Sequence, residues 1–220
     1  MENGLNAFSL LTLGYKDYRV ARFLLNNVNN DYVIQGLTFA STSVEKYIKV
    51  LLFLNGKTKR EINVHLNKLE HLKKALSSCY YDITQKIDER FLEILGKVYE
   101  IRYYDDIKKP ITIGLFLNQF IGELDFAINL FETVVIKDIK DEKGSIIKTL
   151  YHRDIENKHK DLFENNYILN GISKKEHMEK EDTGFAIYID PKSLAFGEIN
   201  ILGKGIKNDY DCRITGINIE

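Results

Sequence analysis

Proline is almost absent from this chain, and that absence constrains the fold more than any other feature of the sequence. Among 220 residues the two prolines are Pro110 and Pro191. Proline inside a helix removes a backbone donor and clashes with the preceding turn, so it usually ends or kinks the helix. Everything before Pro110 is therefore free of the strongest helix breaker. The first half of the sequence favours helices.

Apolar residues recur every three or four positions along this first half, which is the period of an amphipathic helix. The second predicted helix is apolar or small on two adjacent stripes, so we expect it in the middle of a bundle. Asn55-Gly56 ends that helix, because both residues tolerate the left-handed conformation of a helix C-terminus. Short links between helices favour an antiparallel up-and-down bundle. The predicted helices span 15–26, 32–54, 63–78 and 84–102, and a fifth follows Pro110.

The pattern changes after about residue 134. Segments 134–139 and 146–151 predict a hairpin, with a continued helix as the alternative. Residues 152–181 are polar and predict an exposed helix or two. The last forty residues predict a small antiparallel sheet, with strands at 185–189, 196–202 and 212–219. We therefore expect a mainly α protein, with a helical bundle over 1–135 and a small α+β appendage over 136–220.

Charge and composition exclude several classes of protein. The net charge is −1, without the basic excess that domains dedicated to nucleic acid or anionic membranes carry, so any anion site must be local. Cys79 and Cys212 lack the spacing of a disulfide framework, and no apolar run reaches the length of a membrane span. The five histidines show no convergent metal-like spacing. We expect a cytoplasmic protein without a membrane, metal or cofactor.

Two charged clusters stand beside predicted core positions. Glu45 and Lys49 lie four residues apart on the second helix, and Arg102 starts a charged and aromatic run where the fourth helix ends. In an antiparallel bundle these clusters can meet at one surface. Arginine can then engage two phosphate oxygens, lysine supplies a point charge, and a tyrosine can stack a base. The predicted ligand site consists of Glu45, Lys49, His65, Arg102, Tyr103 and Asp105.

Ordinary structural roles explain the same residues and stay open here. Glu45 and Lys49 can form a surface pair worth about 0.2–0.5 kcal/mol to their helix. Arg102 can complement the dipole at a helix C-terminus, and Tyr103 can be a half-buried packing residue. His65, at the head of the third helix in a locally basic run, can be a cap or a packing residue.

Five short motifs follow one another along the predicted bundle. They are Tyr18-x-x-Ala21, Val44-Glu45-Lys46-Tyr47-x-Lys49, Asn55-Gly56, His65-x3-Leu69 and Arg102-Tyr103-x-Asp105. Together they resemble the HEPN domain family (higher eukaryotes and prokaryotes nucleotide-binding) over about residues 15–135. The resemblance implies a small helical bundle that associates with a second copy. It also implies a prokaryotic defence or toxin–antitoxin setting.

The resemblance also bears on catalysis. Members with ribonuclease activity carry an Arg-x4-6-His motif, yet no histidine occurs between Arg102 and Pro110. The expected general base is missing, so we assign no catalytic residue. We treat the spacings Arg60-x4-His65 and Arg153-x5-His159 as coincidence. The predicted function is binding of a nucleotide or RNA phosphate without hydrolysis. The alternatives are a ribonuclease with a base outside the motif, and a non-catalytic scaffold module.

Overall fold

Helices dominate the part of the chain that the computed structural model describes, which is residues 2–26, 32–58, 69–79, 83, 85–102, 107–140, 143–190, 192 and 195–204. The prediction of a mainly α protein is confirmed. The helices are α1 (Glu2–Asn26), α2 (Val33–Leu54), α3 (Leu69–Cys79), α4 (Glu89–Arg102), α5 (Leu117–Asp138), α6 (Leu150–Glu156), α7 (Lys160–Phe163) and α8 (Lys174–Met178). The strands are β1 (Ile111–Phe116), β2 (Glu181–Asp190) and β3 (Ala195–Lys204).

Helices α1 and α2 form a tightly packed antiparallel hairpin. A Cβ at Gly36 would lie 2.7 Å from Cγ of Leu25, so glycine is what allows this approach near the turn of the hairpin. Near the middle of the hairpin, the hydroxyl of Ser43 donates to the carbonyl oxygen of Gly14 at 2.8 Å. The pairing extends the first predicted helix, which begins at Glu2 rather than near residue 15.

The apolar helix α2 lies inside the bundle, as its sequence predicts. Twelve of its residues are buried, among them Ala40, Tyr47 and Val50 without measurable exposure. The polar side chains of α2 are partly exposed along the remaining face. Within the described residues, no helix combines the length and the apolar character that crossing a bilayer requires.

Helix α5 packs against both helices of the α1–α2 hairpin. Tyr47 of α2 stacks on Phe131 with ring centroids 5.9 Å apart, and a Cβ at Gly14 of α1 would lie 3.2 Å from the Tyr47 ring. One turn further along α1, Tyr18 contacts Asp125 of α5. Residue numbers along α1 thus decrease in the direction in which residue numbers along α5 increase. Helix α1 runs opposite to α5, and α2 runs in the same direction as α5.

The sheet has three antiparallel strands in the order β1-β2-β3. Its register pairs Ile111 with Ile189 and Phe116 with Gly184, and β3 pairs along the other edge of β2. Strand β1 corrects the prediction that Pro110 leads into a helix, since the fifth helix starts only at Leu117. The β-branched run Ile111-Thr112-Ile113 favours extended backbone, and that preference prevails over the helix-start signal of a proline.

The predicted hairpin over 134–151 is wrong in most of its length. Helix α5 continues through Asp138, as the alternative prediction allowed, and α6 begins at Leu150. Between them a single bridge joins Lys140 to Ile146. Since Val134 to Ile136 extend the apolar face of α5, packing against the bundle stabilises helix over strand there. The predicted strand at 212–219 lies outside the described residues.

The chain after residue 140 shares one hydrophobic core with the helices before it. Tyr151, Leu162, Phe185 and Ile187 are all at most 2% exposed and belong to the same buried cluster as α1, α2 and α5. Helix α5 itself extends beyond the proposed seam at residue 135. The described part of the appendage is thus packed onto the bundle.

Strand β2 supplies the N-terminal cap of α5. The carboxylate of Asp182, which is 3% exposed, accepts the backbone N–H groups of Asn118 and Gln119 at 2.9 and 3.0 Å. The first N–H groups of a helix have no partner within the helix, so a carboxylate here satisfies two of them and complements the helix dipole. Asp182 therefore joins the sheet to the start of α5.

We expect Asp182→Ala to lower the free energy of unfolding by about 1–3 kcal/mol, because it leaves buried backbone donors without an acceptor. Urea denaturation followed by circular dichroism measures this. The matched control is Asp190→Ala in the same strand, whose carboxylate accepts the N–H of Lys192 at 2.8 Å in an exposed turn. We expect that control to change stability by less than about 0.5 kcal/mol. Equal losses in the two variants would contradict the capping role.

Candidate functional site

Glu45 and Lys49 form the ion pair that their spacing predicts. Nζ of Lys49 lies 2.7 Å from Oε1 of Glu45, and the side chains are 23% and 20% exposed. Both sit on the partly exposed face of α2, one turn apart. Because each side chain retains contact with solvent, the ammonium is positioned by the carboxylate without being sealed from a ligand. The pair fits both the surface role and the predicted site.

Arg102 is the last residue of α4, and its side chain is exposed. Helix α4 packs on α2, where the hydroxyl of Ser41 donates to the carbonyl oxygen of Leu95 at 3.3 Å. Leu95 and Arg102 are seven residues apart, which is close to two turns, so they lie on the same stripe of α4. The stripe that carries Arg102 is therefore the stripe that meets α2.

Aromatic contacts fix the direction of α4. Tyr47 of α2 is level with Phe131 of α5. Ser41, the α2 residue that contacts α4, comes six positions before Tyr47. Because α2 and α5 run in the same direction, Ser41 is level with about residue 125 of α5. On α4, Phe91 precedes Leu95 by four positions and lies against Phe120, with ring centroids 5.1 Å apart. Phe91 and Leu95 of α4 are thus level with about residues 120 and 125 of α5, so residue numbers increase in the same direction along both helices. Helix α4 runs in the direction of α2 and α5. The prediction of a strictly up-and-down bundle is therefore wrong for α4 and α5, because strand β1 lies between these two helices in the chain.

This direction sets the level of Arg102 along α2. Arg102 lies seven residues beyond Leu95, a rise of about 10 Å along the helix axis. The same rise along α2 leads from Ser41 to Ile48 and Lys49. By this register Arg102 is level with the turn of α2 that carries the Glu45–Lys49 pair. Tyr103, Asp105 and His65 lie outside the described residues, so their part in the site stays a prediction.

Two fully buried carboxylates on α5 escaped the sequence analysis. The first is Asp125, which accepts a hydrogen bond from the hydroxyl of Tyr18 at 2.7 Å and pairs with the guanidinium of Arg22. Arg22 is 2% exposed and also donates to the carbonyl oxygen of Glu164. Burial alone would lower the pKa of Arg22, but Asp125 outweighs it and raises that pKa, which keeps the guanidinium charged.

The second buried carboxylate is Glu132. It accepts hydrogen bonds from the hydroxyls of Tyr47 at 2.5 Å and Thr149 at 2.8 Å. Nδ1 of His152, whose side chain is 27% exposed, lies 3.5 Å from the same carboxylate. Burial, and then the charge of Glu132, raises the pKa of Tyr47 well above its ordinary value, so its hydroxyl stays a donor. This cluster joins α2, α5 and α6.

The sequence does contain a signal for these two carboxylates. Asp125 and Glu132 are seven residues apart, so they share one stripe of the helix, and that stripe adjoins the predicted buried positions Leu124 and Phe131. Acidic side chains on a buried stripe require partners. The partners themselves come from residues far away in sequence, and no local pattern names them. Among the described residues, no group of three potential ligands is arranged to hold a metal ion.

We expect Asp125→Ala to lower the free energy of unfolding by about 3–5 kcal/mol, because it leaves the buried guanidinium of Arg22 without its counter-ion. The matched control is Glu93→Ala, which breaks the partly exposed Arg90–Glu93 pair on α4, formed at 2.8 Å. Its cost should stay below about 1 kcal/mol. Chemical denaturation of both variants gives the comparison. A small loss for Asp125→Ala would show that the buried pair contributes little to the fold.

Comparison of the chain with protein-family models, with curated proteins and with solved structures finds no match.

Proposed function

We propose that this chain is a cytoplasmic, HEPN-like protein that binds the phosphate of a nucleotide or RNA without hydrolysing it. The observation that carries the proposal is the register of α4 on α2, by which Arg102 is level with Lys49. Both side chains retain contact with solvent, so a ligand can reach them. The resemblance in the motifs around Lys49 and Arg102 supports the same assignment.

The chemistry of these side chains suits an anionic group. A guanidinium binds two oxygens of one phosphate through parallel N–H groups, and an ammonium adds a point charge without fixed geometry. Glu45 holds the ammonium of Lys49 at 2.7 Å, which reduces its freedom before a ligand arrives. A charge that is already positioned loses less conformational entropy on binding. The proposed site thus combines one geometric contact with one electrostatic contact.

Binding without hydrolysis follows from the kinds of side chain at this site. Cleavage of RNA requires a group that accepts a proton from the attacking hydroxyl near neutral pH. Arginine and lysine are protonated there, and the segment from Arg102 to Pro110 contains no histidine. The carboxylate of Glu45 is paired with the ammonium of Lys49. The described side chains of the proposed site, those of Glu45, Lys49 and Arg102, can hold a phosphate and include no histidine to activate a nucleophile, while His65 lies outside the described residues.

We expect labelled single-stranded RNA to bind the wild-type protein, with an affinity that falls steeply as salt rises. Arg102→Ala should weaken binding about five- to tenfold, or roughly 1–1.4 kcal/mol, and reduce the salt slope by about 0.7 for the lost phosphate contact. Lys49→Ala should weaken it by a smaller factor, because a point charge is easier to replace. The control is Arg90→Ala at the opposite end of α4, which should leave the affinity unchanged.

Fluorescence anisotropy at two salt concentrations gives the affinities, and a gel of the same samples shows whether the RNA stays intact. Cleavage that Arg102→Ala abolishes would establish the ribonuclease alternative instead. Absence of binding at low salt would favour the scaffold alternative. Equal losses in Arg102→Ala and Arg90→Ala would indicate attraction by total charge, and would contradict a site at the end of α4.

A further inference from the structure

A third carboxylate on α5, that of Glu123, lies in an unusual environment. Its side chain is 1% exposed, and neither oxygen has a hydrogen-bond partner among the described residues. The group that does contact it is the ammonium of Lys174 in α8, at Oε1. A buried carboxylate without hydrogen bonds is costly to keep ionised, so its cation is indispensable. Glu123 therefore requires a positive charge at this position.

Lys174 meets Glu123 from the outside. Its side chain is 45% exposed, and its ammonium lies 5.1 Å from the centroid of the Phe126 ring, one turn along α5 from the carboxylate. A carboxylate combined with an aromatic face is the arrangement that proteins use to recognise organic ammonium groups. We call the space bounded by Glu123 and Phe126 the ammonium niche.

A second buried polar group without a hydrogen bond lies in the neighbourhood of Glu123. Tyr167 stacks on His177 with ring centroids 4.8 Å apart, and a Cβ at Gly122 would lie 3.6 Å from the Tyr167 ring. The Tyr167 hydroxyl is buried and has no hydrogen-bond partner within the described part of the chain. Burial raises the pKa of Tyr167, and the nearby charge of Glu123 raises it further.

An ammonium group has three N–H donors. In the structure Lys174 contacts one oxygen of Glu123, while Oε2 of Glu123 and the hydroxyl of Tyr167 lack hydrogen bonds. Buried polar atoms of this kind are uncommon in folded proteins and call for an occupant. The niche therefore offers one acceptor, Oε2 of Glu123, that its present cation does not use.

We propose that the ammonium niche binds a small aliphatic primary amine in its ammonium form, and that Lys174 occupies the niche as an exchangeable stand-in. The long, partly exposed lysine side chain can withdraw into solvent, because its stem is flexible and its charge is readily hydrated. A neutral molecule cannot replace it, since Glu123 would then be left without a cation. The niche thus selects a cationic ligand with a narrow alkyl chain.

Exchange at the niche would act on α8. Lys174 is the first residue of that helix, and His177 in the same helix has Nε2 within 3.0 Å of the carbonyl oxygen of Asn118, near the start of α5. An amine that displaces Lys174 releases one of the contacts that hold α8 on α5. Occupancy of the niche is thereby linked to how firmly this short helix is attached.

The test removes the stand-in and supplies its equivalent. Lys174→Ala deletes the ammonium but keeps Cβ, so n-propylammonium matches the missing atoms. We expect the variant to have a lower Tm than the wild type, and n-propylammonium chloride to restore most of that loss where sodium chloride of equal ionic strength does not. Lys175→Ala, an exposed neighbour, should show neither the loss nor the recovery. The double variant Glu123→Gln with Lys174→Ala should not respond to the amine.

A second measurement uses the complete side-chain set. Titration of the wild-type protein with 1,4-diaminobutane, followed by NMR of the Phe126 ring, should give saturable shifts that Glu123→Gln abolishes. Lys174→Gln, which keeps an amide donor near Glu123 in case the alanine variant does not fold, should bind the diamine about tenfold more tightly, because no ammonium has to be displaced. Recovery that persists without Glu123, or wild-type protein without saturable shifts, would overturn the proposal.

Discussion

The buried ion pair between Arg22 and Asp125 is the interaction on which the arrangement of the bundle depends. It joins α1 to α5 where neither side chain reaches solvent. The guanidinium also donates to the carbonyl oxygen of Glu164, and Nδ2 of Asn166 lies 3.5 Å from the hydroxyl of Tyr18. Each of these side chains bonds to at least one other group, and only Nε of Arg22 has no hydrogen-bond partner among the described residues of this network. Three distant parts of the chain are thereby fixed at one level of the bundle.

The acidic side chains of α5 distribute its partners around the helix. Glu123 takes its cation from α8, Asp125 from α1, and Glu132 its hydrogen bonds from α2 and the start of α6. Apolar contacts between helices tolerate a shift along the axis, whereas a buried carboxylate penalises any shift that separates it from its partner. These side chains therefore select one register among several that the apolar surface would permit.

The predictable part of this structure is the part that local sequence determines. Periodicity correctly identified α2 as a helix inside the bundle and predicted a further helix in the region of α5, and spacing identified the Glu45–Lys49 pair, because both effects operate within a few residues. Strand β1 was missed, since its six residues form a strand only by pairing with β2, some seventy positions later. In the same way, the sequence shows that Asp125 is an acidic residue on a buried stripe, but it does not show that Arg22 forms the ion pair with it.

The candidate site has the same division. The Glu45–Lys49 pair is a local feature, while the level of Arg102 along α2 depends on how α4 packs on α2 and α5. From the sequence alone, the packing of α4 on α2 and α5 could be stated only as a hypothesis about how the helices are arranged. The contact of Ser41 with Leu95 and the aromatic contacts of α5 give the direction of α4 and the level of Arg102, while a meeting of Arg102 with the pair stays a prediction.

The long separation between the partners of α5 has a consequence for the order in which the protein is made. The hairpin of α1 and α2 is synthesised before α5. Tyr18 and Arg22 therefore lack their partner Asp125 until α5 has been made. Thr149 and Lys174 emerge only after α5, so until then Glu123 lacks its cation and Glu132 one of its donors. Contacts as distant as Tyr18 with Asn166, 148 positions apart, close large loops and form slowly. The nascent helical bundle is therefore provisional, and the arrival of the segment from Thr149 to Lys174 completes it.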